Sequence, residues 1–177
     1  AETERYTPRL LEIASGMGSQ TAVAIENERL RRAELEAERL AQELEMAHHI
    51  QRSFLPEQAP TLAGWDIAPR WEPARIVTGD FYDFVPQDDG GLGVVIADVS
   101  DKGAPAAIFM AVSRSLLRAS VMAYPQPVEA MDHANALIAA DADSSMFVTA
   151  FLLALEPQGG RLDFVNAGHN PPLVVRA

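Results

Sequence analysis

The chain has 177 residues, which by a prior of about 150 residues per domain allows one globular domain and an appendage. Its 14 Lys+Arg against 25 Asp+Glu leave a formal net charge of −11, which argues against sequence-independent nucleic-acid binding, and zero cysteines exclude a disulfide framework, a thiolate zinc site and a Cys nucleophile. No apolar run reaches the ~20 residues that span a bilayer and the opening Ala1-Glu2-Thr3-Glu4-Arg5 is no signal peptide, so a soluble, cytoplasmic protein without nucleic-acid or membrane partners is expected, its Ala start suggesting a piece of something longer.

From Pro8 to Phe54 Ala, Leu, Glu and Arg dominate, all strong helix formers. Leu10, Leu11, Ile13, Ala14, Met17, Ala24 and Ile25 predict a first helix, weakened by Gly16 and Gly18. Leu30, Ala33, Ala37, Leu40, Leu44, Ala47, Gln51 and Phe54 then recur at spacings of three and four, a heptad seam flanked by Glu34, Glu36, Glu38, Arg39, Glu43 and Glu45. That second stretch would be about 37 Å long as a helix at ~1.5 Å per residue, and nothing interrupts its continuity with the first. A parallel homodimeric coiled coil buries such a stripe, with Gln51 as a register device; the competing reading lays one amphipathic helix on its own globular domain.

After Pro56 the texture changes. Short β-branched runs predict strands at Trp65–Trp71, Phe81–Val85, Leu92–Val99, Phe147–Leu155, Arg161–Val165 and Leu173–Val175, with Gln158-Gly159-Gly160 as a hairpin turn. Helices are expected from about Ala104 to Ala123 and from Val128 to about Ala142, the latter opened by Pro127. Grouped rather than alternating helices point to an α+β fold with helices packed on an antiparallel sheet.

Val94-Val95-Ile96-Ala97-Asp98 is an apolar strand ending in a carboxylate, a costly place for a charge unless it is paired or binds metal. Asp80 follows Gly79 at a strand entry, and two such acids on neighbouring strands would make a hard-oxygen site suited to Mg²⁺ or Mn²⁺. The alternative makes Asp98 an N-cap and Asp80 or Asp83 a turn residue, although Asp101 is better placed for the cap. Lys102, the only lysine, reads as a solvated loop charge, and His48 and His49 as exposed helix surface.

Four segments occur in order: Ile50-Gln51-Arg52-Ser53-Phe54-Leu55-Pro56; Gly79-Asp80-Phe81-Tyr82-Asp83; Ala97-Asp98-Val99-Ser100-Asp101-Lys102-Gly103 with Ala106-Ala107-Ile108-Phe109-Met110; and Asn166-Ala167-Gly168-His169-Asn170-Pro171-Pro172. Together they resemble the SpoIIE-type branch of the PPM metal-dependent serine/threonine phosphatases, bacterial enzymes of sigma-factor partner switching, over residues ~46–177. The N-terminal helix Ala14–Leu30, which contains Thr21-Ala22-Val23-Ala24-Ile25-Glu26-Asn27-Glu28-Arg29-Leu30, resembles the last helix of a GAF sensor domain. The implied organisation is a GAF-like tail at 1–29, a coiled-coil linker at 30–54 and the first two-thirds of a phosphatase domain at 55–177.

The resemblance implies a β-sandwich flanked by helices with a two-metal site at one edge. Asp98 would bridge two Mn²⁺ or Mg²⁺ ions, the Val99 carbonyl would bind one, Asp80 would bind or orient the other, and metal-bound water would attack phosphorus. Arg75, five residues before Asp80, would hold the phosphate, the competing reading being an exposed loop arginine, while His169 reads as part of a structured loop and is given no catalytic role. The implied substrate is a phosphorylated STAS-like anti-anti-sigma protein or similar phosphoprotein, and the implied control is a signal passed through the paired linker. The family's further acidic ligands, in a Thr-Asp-Gly-like motif, are expected beyond Ala177, so a catalytically inactive pseudophosphatase or a dimerisation module that binds a partner protein are the competing readings.

Overall fold

The computed structural model describes residues 7–73, 76–101, 103–141 and 146–175. Arg75 and Lys102 lie outside these residues. The chain divides into two compact units, 1–43 and 44–177.

Helix α1 (Pro8–Phe54) runs 47 residues without a break, about 70 Å at ~1.5 Å per residue, so the two expected helices are one. Glu28 pairs with Arg31 and Arg32 at 3.0 and 2.7 Å, and Arg39 with Glu43 at 3.0 Å. These exposed pairs at i,i+3 and i,i+4 are each worth only a few tenths of a kcal/mol. The apolar stripe is open to solvent, with Leu30 and Leu40 54% and 57% exposed. Within α1 the buried residue is Gln51, which corrects its reading as a register device in a helix seam. Its side chain is occupied by hydrogen bonds to the backbone of Thr78.

In the second unit the elements follow as β1 (Phe81–Pro86), β2 (Leu92–Val99), α2 (Ala104–Ala123), α3 (Pro127–Asp141), β3 (Val148–Glu156) and β4 (Arg161–Ala167). The strands form one antiparallel sheet in the order β1-β2-β3-β4, with Phe81 opposite Ala97, Val95 opposite Leu152 and Asp98 opposite Thr149. Consecutive helices beside an antiparallel sheet give the α+β class expected. The β3–β4 hairpin closes through the predicted Gly-rich turn, where Gly160 takes φ 67° and donates its N–H to Glu156 O at 2.9 Å.

Alternation along each strand gives the sheet two faces. Phe81, Val85, Val95, Ala97, Val99, Ala150 and Leu152 join Met110, Leu117 and Val121 of α2 and Ala130, Met131 and Ala134 of α3 in one core. The opposite face carries Phe84, Leu92 and Leu155, against which Leu62, Trp65 and Ile67 pack. Farther along, that face leaves Ile96, Leu162 and Phe164 about half exposed. The described residues therefore supply one sheet layer and its helices, a sandwich present in part.

Two expected strands are absent. In 65–71 the structure has only an isolated bridge from Trp65 to Leu62, because Trp65 and Ile67 plug the outer face as side chains and Pro69 lacks a ladder donor. Leu173, Val174 and Val175 are 93%, 82% and 92% exposed; β-branching alone does not make a strand where no neighbour pairs with it. Helix α2 is, by length and composition, apolar enough to cross a bilayer, which the run-length expectation missed because Arg114 and Arg118 break the run. Its buried residues, Ala106 to Val121, are core here. Ser120 Oγ lies 2.9 Å from His133 Nδ1, tying α2 to α3.

Candidate metal centre

Residue parity sorts the acids of the β1 region. Phe81, Asp83 and Val85 are buried, so Asp80, just ahead of the strand, belongs to the outward set with Tyr82. On β2, Val95, Ala97 and Val99 are buried while Ile96 and Asp98 are exposed. Since Phe81 pairs with Ala97, the next pair outward along the same ladder brings Asp80 beside Asp98. Asp80 is the neighbouring charge that acts on Asp98. Partial burial near the end of β2, then the charge of Asp80 and hydrogen bonding with it, lift the Asp98 pKa above its ordinary value, while His169 opposes the shift. The N-cap alternative for Asp98 fails, because α2 is capped at Gly103, which has φ 82°, with no side-chain cap bond.

The loop before Asp80 is held closely. Thr78 Oγ1 lies 3.2 Å from Asp80 Oδ2 and accepts the Asp80 N–H at 3.3 Å. Val99 N–H donates to Gly79 O at 3.4 Å. A Cβ on Gly79 would stand 2.7 Å from the Val99 carbonyl oxygen, so only glycine allows this strand-to-loop approach. Trp71 Nε1 donates to Asp80 O at 3.1 Å, and the Trp71 ring stacks on His48 with centroids 5.8 Å apart. His48 is thus half-buried packing, not the free surface expected, whereas His49 is exposed.

His169 closes the other side. Its Nδ1 lies 2.9 Å from Thr149 Oγ1, on the residue paired with Asp98. Its backbone N–H donates to Asn166 Oδ1 at 2.8 Å and its carbonyl accepts from Asn166 Nδ2 at 3.0 Å, the structured loop anticipated. A cavity of about 610 Å³ extends from the acid pair along the outer face, lined by Asp80, Asp98, His169, Trp71, Ile96 and Phe151 among others.

The donor set suits Mg²⁺ or Mn²⁺. Such ions keep several waters and take one or two carboxylates rather than a full protein cage. Two adjacent carboxylates whose charges repel are what a divalent ion relieves. Among the described residues, no group of three or more His, Asp or Glu side chains is placed to hold a metal. The structure thus brings Asp80 and Asp98 together and sets Val99 beside Gly79, while the phosphate role of Arg75 lies outside the described residues.

Asp83, which shares the Gly79–Asp83 motif, goes elsewhere. It is buried on the helix face, with Oδ1 2.9 Å from Arg118 Nη1 and Oδ2 3.0 Å from Arg114 Nη2. The Arg114 approach is an ion pair without a directed hydrogen bond, whereas Arg118 also donates to Phe84 O at 3.1 Å. Sequence reasoning missed this triad and the supporting roles of Gln51, Trp71 and Thr78. Its traces were an acid three residues from Asp80, hence of opposite strand parity, and two arginines four apart on an apolar helix.

The SpoIIE family, described as Stage II sporulation protein E, matches residues 88–177. Protein IcfG of Synechocystis is 36% identical over 162 residues, covering 76% of this chain and 26% of that protein. Phosphoserine phosphatase RsbU of Bacillus subtilis is 30% identical over 129 residues, covering 73% of this chain and 38% of its own length. The chain therefore spans about a quarter to two fifths of these curated relatives. The SiaA-PP2C domain of Pseudomonas aeruginosa superposes with a TM-score of 0.63 at 22% identity, over 73% of this chain and 54% of that one, a likeness of fold.

Proposed function

This chain belongs to the SpoIIE family, and from that premise we propose that it is part of a metal-dependent, PPM-type protein phosphatase acting on phosphoserine or phosphothreonine of a signalling protein. The observation that carries the proposal is the meeting of Asp80 and Asp98 at neighbouring strand ends. The similarity to RsbU, whose name is phosphoserine phosphatase, supports the substrate class.

Asp98 and Asp80 would hold Mn²⁺ or Mg²⁺, with the Val99 carbonyl as a further hard donor. A bound divalent cation supplies an acidified water and neutralises phosphate charge. The protein's own contribution is orientation: Thr78 and Trp71 fix the Asp80 segment, and Thr149 fixes the His169 ring beside Asp98. The acid pair repels a phosphate by itself, so the site discriminates strongly between cation-loaded and cation-free states. Arg75 is proposed to bind the phosphate.

The wider reading is a cytoplasmic homodimer, paired through residues 30–54, with a GAF-like tail at 1–29 and the phosphatase region at 55–177. Its substrate is proposed to be a phosphorylated STAS-like anti-anti-sigma protein, in keeping with sigma-factor partner switching. The solvent-open stripe of α1 supports the pairing. A second reading, a pseudophosphatase that binds its partner without turnover, is favoured by the presence of only two clustered acids among the described residues.

The test is hydrolysis of an aryl phosphate and a phosphoserine peptide with and without Mn²⁺. Mn²⁺-dependent turnover, abolished in Asp98→Asn and by chelation, is expected. Turnover independent of Mn²⁺ and of Asp98 overturns the phosphatase centre. Capture of a phosphoprotein with no turnover transfers the assignment to the second reading.

A further inference from the structure

The last turns of α1 reach the acid pair through two contacts from one helical face. Residues 48 and 51 are three apart and so share a face. His48 stacks on Trp71, whose indole N–H donates to Asp80 O at 3.1 Å. Gln51 does more. Its Nε2 donates to Thr78 O, and its Oε1 accepts the Thr78 N–H at 3.2 Å. One primary amide thereby satisfies both polar groups of a single backbone residue. Thr78 then turns its hydroxyl to Asp80, meeting both the carboxylate and the N–H.

We infer that Gln51 is a positioning residue for the metal centre: its side-chain amide sets the Thr78 turn that aims the Asp80 carboxylate at Asp98. Gln51 is 2% exposed and Val77 4%, so water does not readily replace the amide. Without it two partly buried backbone groups lose partners, a cost that the loop relieves by moving. Movement is not free in every direction, since Gly79 sits against Val99. The loop swings at Thr78–Asp80, and Asp80 leaves Asp98. Removal of such supporting hydrogen bonds typically weakens metal affinity ten- to a hundredfold.

This inference rests on the proposal that Asp80 and Asp98 bind a divalent ion, and its test separates the two. Mn²⁺ binding to the whole chain is measured by calorimetry, and amide hydrogen exchange is measured on the metal-free protein. Gln51→Met is expected to weaken Mn²⁺ binding about tenfold and to speed exchange over residues 77–80 while β2 and β3 stay protected. In an Asp80→Asn background the same change is expected to add no further loss, because Gln51 acts through Asp80. Additive losses, unchanged exchange at 77–80, or loosening of the whole sheet would overturn the inference. Should Gln51→Met not fold, Gln51→Glu keeps the acceptor for Thr78 N–H but sets a carboxylate oxygen against the Thr78 carbonyl, with a loss expected in both readouts. If the unaltered chain binds no Mn²⁺, the metal reading fails, and exchange at 77–80 still decides whether Gln51 holds the loop.

Discussion

Asp80 and Asp83 stand three residues apart in one motif, yet their substitutions should have opposite signatures. Asp83 is buried and faces Arg114 and Arg118, whose side chains are 14% and 38% exposed. Asp83→Asn removes the charge at nearly constant volume and leaves two guanidiniums sharing an amide. Breaking a buried ion pair from one side costs about 3–5 kcal/mol. Arg118 can swing toward solvent and recover part of that, whereas Arg114 has little room to do so, which places the loss near ~3 kcal/mol. Against a total stability of about 5–15 kcal/mol that is a large fraction. The reverse change, Arg118→Leu, should cost only about 1 kcal/mol, because Asp83 keeps Arg114 and the Phe84 N–H at 2.9 Å. Guanidinium denaturation at constant m-value measures both, and Mn²⁺ affinity measured on the folded Asp83→Asn protein should stay within about twofold of the parent, since affinity changes are confined to a site and its supporting hydrogen bonds. A loss below about 1 kcal/mol, or a collapse of Mn²⁺ affinity like that of Asp98→Asn, would refute the assignment of the two acids to opposite faces.

The remaining predictions concern the centre and the helix. Asp98→Asn should raise the melting temperature of the metal-free protein at neutral pH. With the folded pKa lifted above its ordinary 3.8, the cost of the charge appears as pH rises through the folded value. The gain should vanish in acid, below the unfolded value, and stay under about 1 kcal/mol because Asp98 faces solvent; a loss of stability at neutral pH would contradict the repulsion. Gly79→Ala puts a Cβ 2.7 Å from the Val99 carbonyl, and should cost about 1–3 kcal/mol by thermal unfolding and weaken Mn²⁺ binding. Wild-type stability and affinity together would show that the loop yields freely. Leu40→Asp with Leu44→Asp should halve the mass in light scattering, and an unchanged mass would remove the proposed helix pairing.

Local patterns carried much of the fold. The apolar helices α2 and α3 and the β2 and β3 runs are legible because each buries a continuous set against the same core. Trp65–Trp71 misled because alternation records burial of one face, and the segment achieves that as a plug rather than a hydrogen-bonded strand. Leu173–Val175 misled because pairing needs a neighbour, which intrinsic β-propensity does not supply. Asp80 and Asp98 were legible as acids at strand ends. Their partners were not: Gln51 is 27 residues from Thr78, and its place in a heptad-like series resembled a coiled-coil polar position more than a loop support. Long-range hydrogen bonds of that kind leave no periodic trace. Asp83 with Arg114 and Arg118 was half-legible, through parity on the strand and i,i+4 spacing on the helix.

The half-exposed Ile96, Leu162 and Phe164 on the outer sheet face make that surface adhesive. Molecules meeting there would stick by a route unrelated to α1, and kosmotropic salt would strengthen it, whereas a charge-driven encounter would weaken with added salt. Sizing experiments on this chain therefore have to separate association through this face from the proposed helix pairing. A dilution series in high and low salt separates a concentration-dependent, sulfate-promoted clumping from a stoichiometric helical pair.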